Sequence, residues 1–307
     1  MGDNMDSVYV ILRQMATMAI YCLIGLLLHK KNLVSKEGCR ALSKVLLYVI
    51  FPCVIISSFL READPETTKV LLLCIVASVL LLALSMLVST LIFRKDPVSS
   101  FSASFSNAGF MGIPLITMAY GSEPVFYIAP FVALLNILQW TYGQNLLLGK
   151  RNLRPKEILL NPLVLSFAAG LLLYALPVTL PDLLTKPIST LAACNAPIAM
   201  IILGFYLAEI PFKQFLCTKM AWLVSLLRLL LIPALSALVL VVMPGITPSV
   251  KIALLIAASA PVGINVAIYA ELLGKDYQKA VTLICNSTVL CLVTLPLMIL
   301  LGSKLIG

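Results

Sequence analysis

The chain has 307 residues, 61% of them hydrophobic and only 11% charged, with 22 Lys and Arg against 13 Asp and Glu for a formal net charge of +9. A soluble domain carries roughly a quarter charged residues, and the mean hydropathy of +1.06 excludes that class. The basic excess does not point to nucleic acid, because Lys and Arg lie in short loops beside apolar runs, where they set membrane orientation and hold anionic headgroups.

Apolar runs of about 20 residues, each long enough to cross a ~30 Å hydrocarbon core, recur along the whole chain. The N-terminus, with Asp3 and Asp6 and no basic region, is unlike a secretory signal, so the first run reads as a retained helix. The predicted spans are 8–28, 41–60, 69–93, 97–120, 124–148, 157–176, 187–209, 215–242, 249–273 and 277–301. Loops that carry Lys30, Lys31, Lys36, Arg40 and Lys44, then Arg94 and Lys95, then Lys150, Arg151, Arg154 and Lys156, then Lys213 and Lys219, then Lys275 and Lys279 alternate with loops that hold only Arg61, Lys69, Lys186, Lys251 and Lys304. The first set is expected to be cytoplasmic, with both termini outside. The expected class is an all-α polytopic membrane protein. None of the eight cysteines forms a CxxC pair, so no zinc site or disulfide framework is indicated, and no cofactor is expected.

Two spans are interrupted at corresponding places. Span four holds "SNAGFMGIPL" (Ser106 to Leu115) and span nine holds "SAPVGINVAIY" (Ser259 to Tyr269). The second spans of the two halves share a proline, Pro52 and Pro197, and the fifth spans share an asparagine, Asn136 and Asn286. Five spans per half place the second half upside down, giving inverted repeats over 1–149 and 150–307.

A break at the bilayer centre exposes backbone groups that lipid cannot satisfy. Ten residues from Pro97 reach about 15 Å, half the membrane, so the break falls near the midplane. Gly109 and Gly112 allow close approach. Pro114 suits the first turn of a new half-helix, whose N-terminus presents free N–H groups and partial positive charge. Pro261 and Gly263, beside Ser259, would do the same from the other side. Two converging N-termini suit an anion such as a carboxylate, with Asn107 and Asn265 as added donors; the alternative for Asn107 is a cap of the broken end. Asn136, Gln139 and Trp140 share one face of span five and would line the cavity or bond between helices, as would Thr282 and Asn286. Arg228, central in span eight, is costly there and is expected to hold substrate, cap carbonyls at a break, or pair with Glu271. Glu271 otherwise pairs with Lys275, and Arg13 snorkels. No carboxylate lies near a span centre, which leaves a proton relay without a clear candidate.

"NAGFMGIPL", together with ten spans, outward termini and the second break, resembles the auxin efflux carrier family over essentially the whole chain. The resemblance implies that spans four and nine cross. It also implies a scaffold of spans one, two, six and seven, a transport domain of the other six, and a homodimer formed through the scaffold. Plant members carry a long loop between spans five and six; here it is only Gly149 to Glu157. Sodium-coupled bile acid transporters are distantly similar, but their span-nine glutamate has no counterpart in "AASAPVG" (Ala257 to Gly263). The expected function is secondary active or facilitative transport, in the efflux direction, of a small organic anion; the alternatives are a sodium- or proton-coupled symporter and an anion channel. Enzyme chemistry lacks parts, since the single histidine, His29, sits at the edge of span one.

Overall fold

The computed structural model describes residues 2–149, 160–176, 180–208 and 218–306. The loop from Lys150 to Glu157, Lys213, Cys217, the end of span seven and the start of span eight lie outside them. The described helices are α1 (Gly2–Lys30), α2 (Lys36–Phe59), α3 (Pro65–Ile92), α4 (Pro97–Ser104), α5 (Ala108–Tyr120), α6 (Glu123–Leu148), α7 (Pro162–Ala175), α8 (Asp182–Ala208), α9 (Lys219–Val242), α10 (Pro248–Ser259), α11 (Asn265–Leu272) and α12 (Tyr277–Ile306). Among the described residues the only strand-like pairing is one antiparallel bridge, Ser106 to Val262. Six helices, α2, α3, α6, α8, α9 and α12, are long and apolar enough to cross a membrane.

Local sequence sets the helix starts. α3, α4, α7 and α10 each begin on a proline preceded by Asp64, Asp96, Asn161 or Thr247. Proline lacks the N–H that a first turn leaves unpaired, and at Asp64, Asp96 and Asn161 the short polar side chain caps the next donors. Asp64 accepts from Thr67 N at 2.9 Å and Asn161 from Leu163 N at 2.9 Å. Proline also shapes helix interiors. Wide π-type turns at Leu46–Ile50, Ala108–Gly112 and Leu227–Leu231 each lie just before a proline, Pro52, Pro114 or Pro233. A proline ring clashes with the carbonyl four residues back and offers it no donor, so the preceding turn opens to an i−5 bond, as in Ile113 N to Ala108 O.

Packing follows the solvent a membrane provides. Leu72, Val76, Leu87, Leu172, Val293 and Leu297 are exposed, an apolar belt that water would penalise and lipid would not. The interior instead collects small and polar groups. α1 and α8 meet at backbone contact: a Cβ on Gly25 would fall 1.9 Å from Ile201 O, and one on Gly204 1.8 Å from Cys22 O. Small residues at that contact let backbones pack closely where lipid supplies no hydrophobic drive. α4 and α10 are enclosed by protein, with every residue from Val98 to Ser104 and from Val250 to Ser259 buried. An aromatic cluster of Phe59, Phe126, Phe167 and Tyr174 closes one end, and Arg61 lies over Phe126 at 4.9 Å.

Candidate functional site

Both interrupted spans break where their glycines and prolines predict, and the breaks meet. α4 ends at Ser104, two residues before Ser106. Phe105 to Asn107 then passes against Ala260 to Gly263. Asn107 N donates to Pro261 O at 2.7 Å and Gly263 N to Phe105 O at 3.0 Å. A side chain at Gly263 would press Ser106 O at 3.2 Å, so the close approach of the two backbones favours glycine here. Val262 N donates to Ser287 Oγ of α12 at 3.0 Å. Gly112 lies against Ala257 of α10, and Gly109 faces the Phe51 ring of α2. Pro114 sits in the first turn of the regular helix that runs from Ile113.

The outgoing ends of α4 and α10 leave carbonyls without intrahelical donors. Arg228, on the wide turn of α9 and 1% exposed, supplies them. Its Nη1 donates to Ala103 O at 3.1 Å, Ser104 O at 3.4 Å and Ser85 Oγ at 3.0 Å. Its Nε donates to Ala260 O at 3.3 Å, and its Nη2 to Ala258 O. Ser85 of α3 donates onward to Ser104 O at 2.6 Å. Of the roles open to Arg228, the carbonyl-capping one is the geometry present. A cavity of about 10 Å³, the size of one water molecule, lies beside it, lined by Ser85, Ser104, Ser106 and Ser236. A larger groove of about 560 Å³ runs along the open face of α3 past Thr68, Lys69 and Leu72, away from the crossing.

The incoming ends, at α5 and α11, are dressed differently. Asn107 is 3% exposed, and its Nδ2 has no hydrogen-bond partner, nor do Ser106 Oγ and Ser259 Oγ. Its backbone carbonyl accepts from Met111 N at 3.0 Å, but its side chain makes no cap bond. Asn265, the first residue of α11, donates through Nδ2 to Gln139 Oε1 of α6 at 2.7 Å. One turn on, the Tyr269 and Trp140 rings meet at 5.4 Å. Gln139 and Trp140 therefore do face the second break.

Other expected residues turn elsewhere. Asn136 donates to Val132 O of its own helix at 2.8 Å. Asn286 accepts from Ser225 Oγ at 2.6 Å, joining α12 to α9, and Thr282 bonds back to Gln278 O. Glu271 pairs with Arg40 of α2 at 2.8 Å, and not with Lys275 or Arg228; it sits at the far end of α11 from the break that Arg228 caps. Ser85 and Ser287 carry contacts at the crossing, and Ser225 a contact between α9 and α12, that the sequence reading did not single out. A serine in an apolar span is too common a feature to mark itself.

Interrupted helices that cross inside an enclosed polar core, within a belt of lipid-compatible helices, are a membrane transporter's architecture. A family model described as "Membrane transport protein" matches residues 10–157 and 151–299. The chain belongs to that family, the auxin efflux carrier family of membrane transporters. A relative in Methanothermobacter thermautotrophicus, described as an uncharacterized transporter, is 27% identical over 299 residues, covering 91% of this chain and 94% of its own.

Proposed function

We propose that the protein is a secondary active or facilitative transporter that exports a small organic anion by alternating access around the crossing of α4–α5 with α10–α11. One observation carries the reading. The buried Nδ2 of Asn107, at the start of α5, has no partner in the fold, and Ser106 Oγ and Ser259 Oγ at the two breaks are also unpartnered. Helix N-termini favour negative charge, and an unpaired buried donor costs about 1–3 kcal/mol unless a ligand accepts from it. The site is Asn107, Gly109, Gly112 and Pro114 from the first break and Ser259, Pro261, Gly263 and Asn265 from the second. Gln139 positions Asn265; Asn286 and Arg228 hold the surrounding helices, and Asn136 bonds within its own helix.

In this reading α1 to α6 and α7 to α12 are two inverted five-span repeats, each with its fourth span divided in two. The pairing of α1 with α8, and of one break with the other, supports that arrangement. The transport domain of spans three to five and eight to ten moves against a scaffold of spans one, two, six and seven. The chain resides in a bacterial inner membrane with both termini outside, as a homodimer. The test is flux in proteoliposomes over a panel of carboxylates and indole acids. Saturable flux with counterflow is expected for one class of acid. If Asn107→Ala and Pro114→Ala both leave that flux unchanged, the crossing is not the site.

A further inference from the structure

The outgoing ends of α4 and α10 form an oxygen cage. Four backbone carbonyls, of Ala103, Ser104, Ala258 and Ala260, and one hydroxyl, Ser85 Oγ, point at a single position. Each carbonyl lies at or just beyond a helix C-terminus, where the macrodipole adds partial negative charge. Converging carbonyls of unwound helices are the donor set that strips and holds a monovalent cation in membrane proteins. Here that position is filled by the guanidinium of Arg228, reaching in from α9. All three of its nitrogens donate into the cage: Nη1 is shared among Ser85 Oγ, Ala103 O and Ser104 O, Nε serves Ala260 O and Nη2 serves Ala258 O. The adjoining space, about 10 Å³, is the size of a single water molecule. No acidic side chain appears among the residues that touch Arg228 or line that space, so the charge it balances is that of the two helix ends.

We propose that Arg228 is a tethered counter-charge occupying the position of a coupling cation, so that the transport stroke is independent of any sodium, lithium or potassium gradient. A free cation at such a cage binds and leaves during the cycle, and its gradient does work. A cation fixed to α9 by a covalent side chain cannot leave. It holds α3, α4, α9 and α10 together as one body through every state, and it neutralises the negative helix ends permanently. The positive ends at α5 and α11 are then left to the substrate. The consequence for flux rests on the transporter reading above; the cation cage and its occupant do not.

The test therefore contains no substrate. Thermal unfolding of the purified protein in detergent is compared in choline, sodium, lithium, potassium and guanidinium chlorides at matched, sub-denaturing ionic strength. The wild-type Tm is expected to be the same in all five. Arg228→Ala opens the cage and is expected to unfold earlier in choline. It should then recover by roughly 3 °C or more, saturably, with sodium or guanidinium, as binding to the folded state requires. Arg228→Lys keeps a tethered charge and should stay insensitive. Arg228→Gln, close in size but neutral, gives the same reading as the alanine variant if the latter does not fold in choline. A saturable rise in wild-type Tm with sodium overturns the proposal, as does a folded neutral variant that is flat in every cation. Absence of saturable anion flux would instead count against the transport reading and leave this measurement standing.

Discussion

The two sides of the crossing handle the same problem in opposite ways. Each interrupted helix exposes unpaired groups at its outgoing and its incoming end. At the outgoing ends of α4 and α10, Arg228 and Ser85 satisfy the carbonyls. At the incoming ends of α5 and α11 the provision is partial: Asn265 is tied to Gln139, while the amide of Asn107 is buried without a partner. The membrane interior penalises both kinds of exposure alike. The difference separates a side whose bonding the fold completes from a side that keeps a buried donor open, the side proposed above for the substrate.

The sharpest way to break the comparison is to strip the saturated side. Arg228→Ala leaves buried carbonyls at two helix ends without donors. It should cost on the order of 3–5 kcal/mol, the range for removing one partner of a buried charged network, read as lost thermal stability in choline, with Arg228→Lys recovering part of it. The open side should respond in function and not in stability. Asn107→Ala removes a group whose donor has no partner in the fold, so its Tm should stay within about 3 °C of wild type. Saturable flux should fall roughly 10- to 100-fold, as expected for a lost hydrogen bond to a charged ligand. Asn265→Ala should show the smaller flux loss, because Gln139 remains to reorient. Between the two sides lies the backbone bridge itself. Gly263→Ala places a methyl 3.2 Å from Ser106 O and 3.3 Å from Phe105 O, both backbone, and should cost about 1 kcal/mol or more by overpacking.

The smallest effect lies outside the membrane. Asp96 caps α4 and pairs with Lys279 of α12. Burial raises its pKa, but the bonds from Lys279 and Ser99 outweigh that, and the net shift is downward. A carboxyl whose folded pKa is depressed contributes stability above its unfolded pKa, near 3.9. That contribution disappears as pH falls through the lower folded value. Asp96→Asn should therefore flatten the acid limb of a Tm–pH curve below about pH 4 and leave neutral pH little changed.

Much of this was readable from the chain. Breakers in a run with no water to repair them mark a break, and Ser106–Leu115 and Ser259–Tyr269 are where the helices stop. Arg228 stood out because a central charge is costly, and capping was among its expected roles. What pattern cannot supply is the rotamer. Asn136 shares a helix face with Gln139, yet its amide bends to Val132 O, the local bond short polar side chains find within their own helix. Glu271 has Lys275 four residues away, but the end of α11 lets it reach Arg40 instead. Periodicity assigns a face; the partner depends on which helix arrives there.

The contact of Gly25 with Ile201 and of Gly204 with Cys22 sets a limit on motion. A helix pair meshed at side chains can slip by trading one rotamer for another. Here main chain rests on main chain, and a shift of one turn, about 5.4 Å, would bring Tyr21 or His29 to the place that admits only a hydrogen. α1 and α8 are thus indexed to each other like a key in its slot. Whatever displacement the protein makes must be taken up along other surfaces, and the α1–α8 pair is the frame against which that displacement can be measured.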